Sequence, residues 1–212
     1  MDQIAQITDE ERDILQEIMN IAFGKAAADL AEVVNIFVVL SVPDIRIVDA
    51  ADLPDYIRTE FSGFGNISIV EQNFWGEFRG NALLIFPSDS GKELISLLGD
   101  GHPVSFESQA SDFLENETLM EVGNILIGAC VGKVAELLKD MVTYSPPRVI
   151  IEDHPSVSMP DTLFDPENSA IILKTVFCFN ERNVNGFLFL ITSHNSVAWL
   201  KKALADFMEQ YE

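Results

Sequence analysis

Two sets of polar residues stand out by type and spacing. Asp13, Glu17, Asn20 and Gly24 form one, and Glu117, Glu121, Asn124 and Gly128 form the other. At about 100° per residue each set falls on one narrow stripe of a helix. Leu15, Met19, Ala22, Ala26 and Leu30 take the opposite side of the first helix, and Leu119, Leu126, Cys130 and Val134 that of the second. Those sides are the expected core faces. Each stripe therefore presents a carboxylate and, one turn on, an uncharged carboxamide that both donates and accepts hydrogen bonds. The glycine beyond lets a partner's backbone come close. A single Glu-x-x-Asn would read as an ordinary solvated helix face. Asparagine is a mediocre helix former, and its recurrence three residues after glutamate and 23 before proline speaks for a shared task.

The elements that must carry these stripes follow from periodicity and capping. Residues 8–35 read as a helix, opened by a Thr8/Glu11 capping box and patterned by Leu15, Ile18, Met19, Ala22, Ala26, Leu30 and Val33. Extended segments follow near 36–49, 66–73 and 81–87, with a loop around Pro54. Ser90 and Glu93 open a short helix over 90–98, which Gly99-Asp100-Gly101 ends. The order then recurs. A long helix over 111–141 leads to strands at 142–152, 170–179 and 185–192 and a closing helix at 196–210, with Pro155, Pro160 and Pro166 in a loop.

Sliding the chain against itself by 104 residues aligns 13–43 with 117–147 without a gap, and ten of the 31 pairs are identical. About two identities would arise by chance, so the sequence contains a repeat. The identities include Glu17/Glu121, Asn20/Asn124, Gly24/Gly128, Ser41/Ser145 and Pro43/Pro147, and Gly80 lines up loosely with Gly186 further on. The expected fold is α/β of the α+β kind. It is pseudo-two-fold symmetric, with a mostly antiparallel sheet and two long helices packed on it. Residues 1–212 are expected to form a single domain of two structural repeats, about 8–100 and 111–210.

Composition narrows the partners. The chain has 212 residues, 48% of them hydrophobic and 22% charged, which suits a soluble protein with a sizeable core. A net charge of −21 argues against nucleic acid and against anionic membrane surfaces. Apolar runs such as Ile36–Leu40 are far too short to span a bilayer, and Met1-Asp2-Gln3-Ile4 has no signal-peptide character. Cys130 and Cys178 lie in apolar runs without CxxC spacing and read as buried free thiols of a reducing compartment. The expected location is cytoplasmic.

The pattern D-x-x-x-E-x-x-N-x₂₂-P, present as Asp13, Glu17, Asn20 and Pro43 and again as Glu117, Glu121, Asn124 and Pro147, resembles the CheC/CheX/FliY family of chemotaxis phosphatases. The likeness is to its CheC-type, two-copy form and covers nearly the whole chain. It implies a phosphatase acting on the aspartyl phosphate of a CheY-like response regulator. It also implies roles: Glu17 and Glu121 pair with the regulator's lysine, while Asn20 and Asn124 enter beside the phosphoryl group. The chemistry is coherent. An acyl phosphate has a good leaving group, and the receiver's own carboxylates hold Mg2+, so no cofactor or metal of the phosphatase's own is implied. What remains is to hold a water in line, which an uncharged amide does without repelling the phosphoryl anion. The same resemblance implies a monomer that carries both copies itself, and a CheD deamidase partner at the closing helix, 196–210.

This chain departs from the family pattern in places. Met19 stands where glycine is usual, Phe23 and Lys25 enter near the first stripe, and the second opens with Glu117. These departures point to two sites of unequal quality, the first the weaker. His102, His154 and His194 are isolated and lack metal-ligand spacing, and Gly63-Phe64-Gly65 is only a fragment of a dinucleotide fingerprint. The rival reading is a non-catalytic module that binds or couples a receiver without hydrolysing its phosphate.

Overall fold

A computed structural model describes residues 7–34, 37–49, 51–61, 66–87, 94, 108–152, 169–179, 184–193 and 196–209. The first helix, α1 (Asp9–Val34), starts as its capping box requires. Thr8 N–H donates to Glu11 Oε2 at 2.8 Å, and Glu11 N–H donates to Thr8 Oγ1 at 3.1 Å. Burial alone would raise the Glu11 carboxyl, but the hydrogen bonds from Thr8 and from Lys201 outweigh it and hold the group below its ordinary pKa.

After α1 come β1 (Val38–Leu40) and β2 (Asp44–Asp49), a short helix α2 (Leu53–Phe61), and the hairpin of β3 (Ile67–Trp75) and β4 (Gly80–Pro87). The second long helix, α3 (Ser108–Leu137), precedes β5 (Thr143–Tyr144), β6 (Arg148–Glu152), β7 (Ser169–Phe179) and β8 (Val184–Ser193). The closing helix is α4 (Val197–Met208).

Among the described residues eight strands form one sheet in the order β1-β7-β8-β4-β3-β5, with β2 also on β7 and β6 also on β3. Every pairing is antiparallel. The order reads the same from both ends once β1–β4 are exchanged with β5–β8. Each repeat lends its first two strands to the third strand of the other. The two-fold relation extends to single residues. In the central β4–β8 pair Leu83 faces Phe189. On either side Gly80 lies opposite Phe74, and Gly186 opposite Phe177. A Cβ on Gly80 would lie 2.1 Å from the carbonyl oxygen of Ile191, and one on Gly186 2.2 Å from that of Ile85. No side chain fits at either position, and each glycine makes room for a buried phenylalanine ring. In the helix layer, Lys133 Nζ meets Asp29 Oδ2 at 2.8 Å. Positions 29 and 133 are themselves equivalents under the 104-residue repeat.

One face of the sheet carries the main core. Leu15, Ile18, Met19, Ala22, Phe23 and Ala26 of α1 and Leu119, Val122, Leu126, Ile127 and Cys130 of α3 pack with Val70, Phe74, Leu84, Phe177 and Leu188. Lys201 of α4 pairs with Glu11 of α1 at 3.0 Å. On the other face Leu53 and Ile57 of α2 cover a smaller core of Ile67, Ile69, Leu83, Ile85, Ile172 and Phe189. Part of α3, Phe113–Leu137, is long and apolar enough to cross a membrane. That apolarity is used in the core, where α3 packs on α1 and the sheet.

Several sequence expectations need revision. The loop assigned around Pro54 is helical in part, because proline in a first turn forfeits a donor that has no helical partner anyway. The extended segments 36–49 and 142–152 are each two strands, broken at Ser41–Pro43 and Ser145–Pro147. The long second helix stops at Leu137 rather than 141, because Lys139 turns left-handed at φ 56° and Asp140 N–H closes on Ala135 O at 2.8 Å. Cys130 is buried, and burial pushes its thiol pKa up, but Cys178 is exposed. The period of two in β7 gives the core face to Phe177 and Phe179 and turns Cys178 to the other. The helix expected over 90–98, the Gly99–Gly101 turn, the three histidines, the Gly63–Gly65 fragment and Pro155, Pro160 and Pro166 lie outside the described residues, except for Leu94, which is buried in the main core.

Candidate active site

Each stripe sits on the outward side of a helix whose inward side is fixed by the core. Buried positions correspond one for one between the helices: Leu15/Leu119, Ile18/Val122, Ala22/Leu126, Phe23/Ile127 and Ala26/Cys130. Fixing that inward register fixes the outward one, so Glu17, Asn20, Glu121 and Asn124 are all exposed. Each asparagine lies nine residues before the Asp29–Lys133 contact, roughly 14 Å along its helix.

Behind each stripe a serine two residues before the repeated proline is clamped to the sheet in the same way. Ser41 N–H donates to Val176 O at 2.8 Å, and Val176 N–H donates to Ser41 Oγ at 2.9 Å. Ser145 N–H donates to Asn73 O, and Asn73 N–H to Ser145 Oγ, both at 3.0 Å. The serine carbonyl is also held in both copies, by Thr175 Oγ1 in the first and Gln72 Nε2 in the second. These clamps place Pro43 and Pro147 beside their helices.

In the first copy Gln16 Nε2 donates to Pro43 O at 3.0 Å and ties α1 to that segment. In the second, methionine replaces this glutamine, and Glu117, Met120, Glu121, Asn124 and Pro147 line an open depression of about 470 Å³. Asn124 Oδ1 accepts from Gln72 Nε2 at 2.9 Å. Tyr144 Oη reaches Gly128 O at 3.4 Å beneath the far end of the stripe, and burial keeps this hydroxyl protonated, its pKa pushed up to about 12.

The arrangement sets a carboxylate and a carboxamide on a rigid helix at the rim of a shallow, open surface. Such a surface suits a docking macromolecule better than an enclosed small molecule. The departures noted in the sequence do not obstruct the first site. Met19 is 0% exposed and Phe23 2%, so both are core residues and the expectation that Phe23 crowds the stripe is corrected. Gly123, equivalent to Met19, is required by packing: a Cβ there would lie 2.5 Å from Val70 Cγ1. Lys25 is exposed.

The sequence pattern of the CheC-like family matches residues 10–47, which hold Glu17, Asn20 and Pro43. Over those residues the chain is similar to the CheC-like family. It is 26% identical over 150 residues to the CheY-P phosphatase CheC of Bacillus subtilis (strain 168), covering 69% of this chain and 68% of that one. It is 21% identical over 151 residues to the flagellar motor switch phosphatase FliY of the same organism, covering 71% of this chain but only 38% of FliY. Among solved structures, FliY of Thermotoga maritima superposes with a TM-score of 0.69 at 20% identity over 94% of this chain and 98% of that one. FliM of H. pylori, from its complex with SpeE, gives 0.61 at 9% identity over 95% and 97%. These likenesses establish the α+β fold, an antiparallel sheet with helices packed on it.

Sequence reasoning missed Gln72. It has no repeated counterpart, since the corresponding strand position is Thr175, and only the sheet register brings residue 72 beside 124 and 145.

Proposed function

We propose that this chain hydrolyses the aspartyl phosphate of a CheY-like receiver domain, with Asn20 and Asn124 orienting the attacking water and Glu17 and Glu121 pairing with a receiver lysine. The observation that carries the reading is the twice-built pair: carboxylate and carboxamide one turn apart, exposed on helices whose core registers match, each beside a proline held by a clamped serine. Similarity to the CheC-like family over residues 10–47 and to the CheY-P phosphatase CheC of Bacillus subtilis supports the substrate class.

The geometry asks little of the protein beyond positioning. An acyl phosphate on a receiver brings its leaving group and its magnesium with it, so the phosphatase adds an oriented water and a docking charge. A carboxamide is suited to the first task because it carries no charge toward the phosphoryl oxygens. A carboxylate one turn away is suited to the second, since it meets a cation outside the line of attack. This division keeps the negative group off the anion.

The test is phosphate release from a phosphorylated receiver, followed by stopped flow with and without the protein. The expected result is acceleration over the receiver's own rate that saturates with protein concentration. Binding without any acceleration would overturn the hydrolytic reading and leave a receiver-binding module.

A further inference from the structure

The polar groups behind the second stripe form a short relay with a defined direction. Gln72 projects from the helix-facing side of β3 and is 2% exposed. Its Nε2 donates to Ser145 O at 2.9 Å and to Asn124 Oδ1 at 2.9 Å. A backbone carbonyl can only accept, so the group that Gln72 turns toward Ser145 must be its NH2. The second proton of that NH2 then requires an acceptor on Asn124, which supplies Oδ1. The Asn124 Nδ2 is left as the end of the amide for whatever docks.

The start of the relay is firmly held. Ser145 exchanges two hydrogen bonds with Asn73, one residue along β3 from Gln72. The exposed amide is thereby referenced to the sheet backbone and not only to its own helix. The arrangement carries a penalty, because Gln72 Oε1 is buried with no hydrogen-bond partner among the described residues. An unmet buried acceptor is destabilising, because it has given up its hydrogen bond to water and gained none in return. A group kept at such a site is better explained by what its donor end does than by stability.

The first copy is an internal control. Thr175 occupies the corresponding strand position, is also buried, and donates through Oγ1 to Ser41 O. It therefore does half of what Gln72 does, holding the serine carbonyl without extending to the asparagine. Among the described residues no side chain holds Asn20 as Gln72 holds Asn124.

We propose that Gln72 is a positioning residue for Asn124, orienting its carboxamide with Nδ2 outward toward the phosphoryl oxygens and the attacking water. The inference rests on the hydrolytic reading above, but the orientation itself is testable without it. The variant Gln72→Thr copies the first repeat: it can keep the bond to Ser145 O and loses the link to Asn124. Gln72→Met is a second variant that fills the same space without any donor.

In an Asn20→Ala background, where the second site works alone, both variants are expected to lower kcat about tenfold with KM within about twofold, the signature of a transition-state interaction. In a double-mutant cycle the loss should be non-additive with Asn124→Ala. Side-chain ¹⁵N relaxation supplies an activity-independent readout. With Asn20 intact, the Asn124 NH2 should be ordered when Gln72 is present and as mobile as that of Asn20 once Gln72 is replaced by Thr or Met. An unchanged kcat, fully additive losses, or an Asn124 amide equally mobile before and after substitution would overturn the proposal. If the parent shows no turnover at all, the phosphatase reading fails while the relaxation comparison still decides the role of Gln72.

Discussion

The two Glu-x-x-Asn stripes stand on helices whose buried positions correspond pairwise, yet the strands behind them differ at one place that matters. Behind Asn124 a buried glutamine bridges the serine carbonyl to the asparagine, whereas behind Asn20 a threonine reaches only the carbonyl. The most conspicuous differences in the sequence lie elsewhere. Met19 against Gly123 and Phe23 against Ile127 are differences within the core, and neither side chain of the first copy faces the site. Repeats diverge freely where packing can compensate. A one-residue difference behind an exposed amide changes what that amide can be held to do.

The largest effect should come from separating the copies. Each repeat completes the other's sheet, with β1 and β2 on β7, and β5 and β6 on β3. Fragments 1–107 and 108–212 are therefore expected to lack a cooperative thermal transition when produced singly and to recover one when mixed. Independent folding of either fragment, seen by circular dichroism or dispersed amide resonances, would show that the interlocked strands are dispensable.

Exchanging the core difference between the copies should have a smaller, unequal effect. Met19→Gly leaves a cavity and places glycine in a helix interior, at a cost of about 4 kcal/mol. Gly123→Met forces a side chain against Val70 and should cost about 2 kcal/mol. Denaturant melts measure both. Equal costs would mean that the close approach of Gly123 to Val70 does not set the difference between the copies.

Much of this was legible in the sequence, for identifiable reasons. The capping box at Thr8 and Glu11 is a local device and stands as read. The helical stripes are periodic, and their exposure follows from the core pattern opposite. The repeat is visible at a constant spacing of 104 residues through β2 and β6, but the spacing is 103 between Phe74 and Phe177 and 106 between Gly80 and Gly186. A single slide of the sequence therefore loses the later strands, and only the sheet register restores them. The helix α2 hid behind Pro54, whose first-turn position resembles a loop signal. The overshoot of α3 came from Met141 and Val142, which prolong an apolar pattern past a left-handed Lys139. Gln72 was invisible because its importance lies in contacts with residues 52 and 73 positions away.

The most direct test of the central claim is turnover of a phosphorylated receiver by the parent, Asn20→Ala, Asn124→Ala and the double variant, with receiver affinity measured in parallel. Loss of a transition-state contact should lower kcat about tenfold in Asn124→Ala and about twofold or less in Asn20→Ala. The double variant should fall to the receiver's own rate while its affinity stays within about threefold of the parent, since the glutamates proposed to dock the receiver are untouched. A double variant that turns over phosphate as fast as the parent would contradict the account, because the repeated asparagines would then have no part in the chemistry.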